Sequence, residues 1–211
     1  MSTPRTRGQR AGLTRQDVLT TAQQLISESG LDGLTMRSLA RRLDVAPNAL
    51  YSYVPNKTAL IDGLLDEALA TVDAPPPEAG TPADGLSAIM TSTYEVLLAH
   101  VDLVPLYLAR QGARGPNARR LGDIMLSLLS AAGITDAAAH EAVRVLIVYT
   151  IGFAALATPP SLAVTSADTE VAGPHSETTP AGLPLSADEL SANFATGLRW
   201  LLDGILAPTS R

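Results

Sequence analysis

Few residues of this chain have the types and spacing that catalysis demands. The three histidines, His100, His140 and His175, stand far apart, and none lies at metal-ligand spacing to another. Cysteine is absent, so no thiolate metal site and no disulfide framework can form. There is no glycine-rich phosphate loop and no Gly-x-Ser-x-Gly elbow, and the carboxylates are scattered over presumed solvent faces. The expectation is no catalytic residue, no metal and no cofactor. Cations are distributed differently. Arg37, Arg41, Arg42 and Lys57 share the stretch from Gly33 to Leu65 with Asn48, Tyr51, Ser52 and Tyr53.

Charge divides along the chain. The formal net charge of the 211 residues is -6, yet through residue 60 eight basic residues face four acidic ones. Beyond residue 60, seven bases face seventeen acids. A basic first quarter on an acidic chain points to a polyanion partner for that quarter alone, because phosphate contacts sense the local surface.

The elements that must position these cations can be read from punctuation. Leu39, Ala40 and Leu43 recur at helical spacing and face inward, while Arg37, Arg41 and Arg42 fall mainly on other faces. Thr35 stands where an N-cap is wanted. Asp44-Val45-Ala46 makes a turn, Asp44 tolerating a left-handed backbone, and Pro47 suits the first position of the next helix. That helix carries Asn48, Ala49, Tyr51, Ser52 and Tyr53 and stops before Pro55; Asn56 caps the one after. Two short helices joined by a few residues form a helix-turn-helix, whose second helix has the right size for the major groove of DNA. Lys57 opposes the helix dipole in its first turn, which fits a phosphate beside it and fits a solvated lysine about as well.

The segment from Leu13 to Leu65 resembles the DNA-binding domain of the TetR family of transcriptional regulators. The resemblance rests on Ala22 and Leu25, Gly30-Leu31, Gly33-Leu34-Thr35, Leu39-Ala40 and Leu43-Asp44-Val45. It continues through Leu50-Tyr51, Tyr53-Val54, Asn56-Lys57 and Leu60. The chain departs from the family pattern at Asp44, where Gly is usual, at Ala46, where Ser or Thr is usual, and at Tyr53-Val54, where His-Phe is usual. The resemblance implies that Pro47, Asn48 and Ala49 face base edges and that Arg37 reaches a guanine or the backbone. It implies phosphate contacts from Thr35, Tyr51, Ser52, Tyr53 and Lys57, although Tyr51 fits a hinge of the small core equally well.

Around this head the chain reads as all-α. A helix from Thr14 buries Val18, Leu19, Ala22, Leu25 and Ile26 and ends at Gly30; another runs from about Lys57 to Val72 into the stiff run Ala74-Pro75-Pro76-Pro77. Further helices are expected at about Ala83–His100, Leu103–Gln111, Asn117–Ala132, Asp136–Thr158 and Ala187–Leu206. Residues 1–60 read as the DNA-binding domain, with a disordered tail through Gly12. Residues 61–211 read as a larger helical ligand-binding and dimerisation domain, with a mobile loop at 159–186. The helices at 136–158 and 187–206 are apolar around most of their circumference, which suggests a homodimer built as a four-helix bundle. The most apolar stretch, Val145 to Ala157, is too short for a membrane span, and the N-terminus lacks the apolar run of a signal peptide, so a cytoplasmic protein without a membrane partner is expected.

The family resemblance further implies an internal pocket for a small-molecule effector. Its candidate lining is Met90, Tyr94, Leu97, His100, Leu103, Tyr107, Arg110, Met125, Leu128, Tyr149 and Phe153, each of which also fits plain core. The resulting expectation is a ligand-responsive regulator, a repressor binding double-stranded, near-palindromic operator DNA as a homodimer and released by its effector. The alternatives are a helical interaction adaptor that no longer reads DNA, which the retained Arg37, Arg41, Arg42 and Lys57 oppose, and an all-helical enzyme.

Overall fold

Five of the helices begin where the preceding residue supplies a side-chain partner for the orphan amides. The structure, a computed structural model, describes residues 12–157 and 186–207, and every regular element among them is helical. At the start of α1 (Arg15–Gly33), Thr14 Oγ1 accepts from the Asp17 amide at 3.1 Å while Asp17 Oδ2 accepts from the Thr14 amide at 2.7 Å. The same reciprocal box opens α2 (Met36–Arg42) through Thr35 and Ser38, α5 (Pro82–Ala99) through Thr81 and Asp84, and α9 (Ala187–Ile205) through Ser186 and Glu189.

Between α2 and the four-residue α3 (Pro47–Leu50), Asp44 takes φ 54°, and Pro47 occupies the first helical position. Asn56 then caps α4 (Lys57–Ala68) by accepting from the Ala59 amide at 2.8 Å. Two details differ from the sequence reading. The first helix does break at Gly30, with φ 67° and ψ -178° that only glycine adopts freely, but a further turn continues to Gly33. The fourth stops at Ala68 and tightens into a 3-10 turn, Leu69–Thr71, and the proline run folds partly into another, Pro77–Ala79.

The remaining helices are α6 (Val104–Arg110), α7 (Pro116–Ala131) and α8 (Asp136–Ala157). One continuous apolar core runs from Val18 and Leu19 of α1, through Leu39, Leu50 and Leu60, to Leu128 of α7 and Phe194 and Leu202 of α9. Helix α4 packs on α1 on one side and on α6 and α7 on the other, and α5 lies against α7, α8 and α9. The tail and long-loop expectations fall outside the described residues, apart from Gly12 and Ser186.

Helix α8, at 22 residues, is long and apolar enough by composition to cross a membrane, although its most apolar stretch is shorter. It carries Asp136, Glu141 and Arg144 in its first half and packs on α5, α6, α7 and α9. On α8 the exposed apolar residues Val145, Val148 and Leu156 form one stripe, and Trp200 on α9 is 69% exposed.

Candidate nucleic-acid interface and interior cavity

Helix α3 is held from below and open above. Leu50 and Val54 are fully buried, fixing the short helix on the core, while Pro47 and Asn48 are exposed and Ala49 is half-buried. Tyr51 is half-exposed, Ser52 is exposed and donates to the Ala49 carbonyl at 2.6 Å, and Tyr53 is half-buried against the core. Arg37 on α2 and Lys57 at the start of α4 are exposed. Among the described residues, Arg37, Arg41 and Lys57 pair with no carboxylate, whereas Arg42 forms a two-pronged bridge to Glu28 at 2.6 and 2.5 Å. Thr35 is already engaged in its capping box, so only its hydroxyl proton, 3.0 Å from Ser38 Oγ, is available to redirect.

The residues singled out for an effector separate into four groups. Met90, Tyr107 and Met125, with Leu97, line an interior cavity of about 160 Å³ bounded by α5, α6, α7 and α8. Thr93 and Thr150 also line it, and Gln111 stands at its edge. Tyr94, Tyr149 and Phe153 instead surround Phe194 of α9: the Tyr94 and Phe194 rings stack at 4.1 Å, and Tyr149 donates to the Phe194 carbonyl at 2.8 Å. His100 and Arg110 lie at the seam with the first four helices. His100 Nδ1 is 2.8 Å from Gln23 Nε2, and Arg110 forks onto Asp62 through two 2.8 Å bonds. Leu103 and Leu128 are core residues away from the cavity.

At this seam the placement of carboxylates corrects the sequence reading. Asp62 and Asp66 of α4, expected on a solvent face, are turned inward. Asp66 is 6% exposed and accepts from the backbone amides of Asn117 at 3.3 Å and Ala118 at 2.9 Å. It thereby caps α7, whose own N-cap, Gly115, has no side chain to do so. Asn117 Nδ2 returns a bond to the Asp66 carbonyl at 3.1 Å. One helix away, the buried Tyr107 hydroxyl donates to the Leu65 carbonyl at 2.5 Å. Burial, then the nearby Asp66 charge, pushes the Tyr107 pKa well above the usual phenol value, which keeps this donor protonated. Helix α4 is therefore tied at Asp62, Leu65 and Asp66 to α6 and α7, and Tyr107 and Ala118 also face the cavity. Sequence alone could have flagged Asp62 and Asp66 as acids four residues apart among the apolar Leu60, Ile61, Leu64 and Leu65, but not their partners about fifty residues on.

A sequence model of the family described as "Bacterial regulatory proteins, tetR family" matches residues 18–64, and one described as "Tetracyclin repressor-like, C-terminal domain" matches residues 74–208. The class D tetracycline repressor protein of Escherichia coli is 47% identical over 60 residues, covering 28% of each chain, so the match spans little more than a quarter of that relative. The structure of BioQ with its double-stranded DNA operator superposes with a TM-score of 0.66 at 25% identity, covering 93% of this chain and all of that one. A TetR variant from Acinetobacter baumannii in complex with minocycline superposes with a TM-score of 0.71 at 27% identity, covering 95% of this chain and all of that one. With one family model on the helix-turn-helix and another spanning nearly two thirds of the chain, the protein belongs to the TetR family of bacterial regulatory proteins.

Proposed function

We propose that this protein is a ligand-responsive transcriptional repressor. Residues 1–60 form its DNA-binding part, and residues 61–211 form its dimerisation and effector part. The observation that carries this reading is α3, whose apolar side is buried while Pro47 and Asn48, like the cations Arg37 and Lys57, are exposed. Asn48 is suited to a bidentate contact with adenine and the Ala49 methyl to a thymine methyl, while Tyr51, Ser52, Tyr53, Thr35 and Lys57 set register on the phosphates. The operator in the BioQ complex and the minocycline in the Acinetobacter complex support DNA and effector as the two partners.

The exposed stripe Val145, Val148 and Leu156 on α8, with Trp200 on α9, is the dimer face. A two-fold axis there would pair two helices from each chain and set two copies of α3 about one DNA turn apart on a near-palindromic site. It would also cover the apolar surface of α8, which agrees with a cytoplasmic rather than a membrane-borne protein.

Switching follows from the ties on α4. An occupant of the cavity presses on Tyr107 and on the start of α7, and both are bonded to α4, whose first turn carries Lys57. A ligand that prefers the arrangement unable to grip the operator shifts the population, and DNA must weaken ligand binding by the same factor. A gel-shift titration with the duplex upstream of its own gene, at two salt concentrations, tests the reading. Specific retention that persists at the higher salt is expected; retention equal to that of random duplex would support an adaptor instead.

A further inference from the structure

The cavity also constrains what the effector can be, and this inference rests on its being the effector site. Among the described residues, no Asp, Glu, Lys, Arg or His lines it. Arg110, at the seam, is committed to Asp62, and His140 and Arg144 line an outer groove that adjoins the cavity through the shared Tyr107, Gln111, Ile147 and Ile151 but do not line the cavity itself. Among the described residues three hydroxyls face the cavity, and each has already placed its proton. Thr93 donates to the Ile89 carbonyl at 2.7 Å, Thr150 to the Leu146 carbonyl at 2.9 Å, and Tyr107 to the Leu65 carbonyl at 2.5 Å. They offer a ligand acceptor lone pairs only. Gln111, at the edge in a left-handed backbone conformation, is the lining side chain with amide protons left to give, among the described residues.

We infer that the effector is an uncharged, largely apolar small molecule on the scale of one or two fused rings. Its polar groups are a carbonyl or ether oxygen that accepts from Gln111 and, at most, a hydroxyl or N–H that donates to Thr93 or Thr150. An ionised group entering this space would lose its hydration and find no counter-charge among the described lining residues. A metal chelate fits no better, since the described lining residues include no His, Asp or Glu to complete the ion's coordination shell.

The test compares three probes of nearly equal shape on the full-length protein by calorimetry: 2-acetonaphthone, which is neutral, 2-naphthoate, which is anionic, and 2-(aminomethyl)naphthalene, which is cationic. Gly122→Leu supplies the location control. Gly122 lines the cavity on α7, a Cβ built there meets nothing within 4 Å, and replacing a mid-helix glycine does not threaten the helix. The ketone is expected to bind saturably, about tenfold or more tighter than either ion, and to lose binding in Gly122→Leu while that variant keeps the helical circular dichroism and unfolding midpoint of the parent. Equal or tighter binding of an ion overturns the inferred class. Ketone binding that survives Gly122→Leu overturns the location, and no binding of the ketone overturns the inference. Operator affinity is measured in parallel: if the ketone binds the cavity and leaves DNA affinity unchanged, the class of ligand the cavity takes stands and the reading of the cavity as the effector site fails.

Discussion

Asp66 fills the space that a side chain at Gly115 would need: a Cβ built on Gly115 would overlap the Asp66 carboxylate. A residue of α4 thus serves as the N-cap of α7, and glycine at 115 makes room for it. The pair joins the helix that bears Lys57 to a helix that lines the cavity.

Removing either member should show. Asp66→Ala leaves the Asn117 and Ala118 amides without their carboxylate and is expected to cost about 1–3 kcal/mol in urea unfolding. Gly115→Ala displaces the same carboxylate, so the double variant should lose clearly less than the sum of the two. Full additivity would mean that the two residues act independently.

On α3 and α4, Asn48→Ala should cost about 1–3 kcal/mol on the cognate duplex and relax preference at one base pair. Lys57→Ala should weaken cognate and random duplexes alike and reduce the slope of log K against log salt by about one. Both variants are read by anisotropy titration at several salt concentrations. Uniform losses from both would refute the division between base and phosphate contacts.

Val148→Glu places a carboxylate in the exposed stripe of α8, where a symmetric partner would bring a second one close by. Sedimentation should show the dimer shifting to monomer, with operator affinity falling in parallel because the two heads are no longer coupled. An unchanged dimer would locate the interface elsewhere.

The helix caps predict the acid behaviour. Bonds from Thr14 and Thr81, chiefly from their side chains, hold the Asp17 and Asp84 carboxyls below their ordinary value near 3.8, and bonds from Ser186, chiefly from its backbone, hold Glu189 below its ordinary value near 4.5. A depressed folded-state pKa stabilises the fold above the ordinary value, and that stability is lost as the pH falls through the lowered one. Circular dichroism should therefore show the fold weakening below those values, and Asp17→Asn with Asp84→Asn should flatten the decline. An identical acid profile in the double variant would contradict the assignment.

What was legible in the sequence was local. Thr14 with Asp17, Thr35 as a cap, the left-handed Asp44, Pro47 at the first helical position and Asn56 each depend on neighbours within a turn, so residue type and spacing reveal them. The cavity was not legible, because Thr93, Gln111 and Thr150 meet only after α5, α6 and α8 pack. Tyr94, Phe153 and Arg110 looked equally suited to a ligand by type, and the folded chain spends them on Phe194 and Asp62. The inward turn of Asp66 was hidden for the same reason: its partners at Asn117 and Ala118 lie in another helix.

The most direct test of the central claim is competition at near-physiological salt between a labelled duplex from the region upstream of the protein's own gene and unlabelled random duplex. The account predicts that about a thousandfold excess of random DNA, or more, is needed to displace half of the bound protein, and that Asn48→Ala lowers this ratio. Displacement by an equimolar amount of random duplex would contradict it.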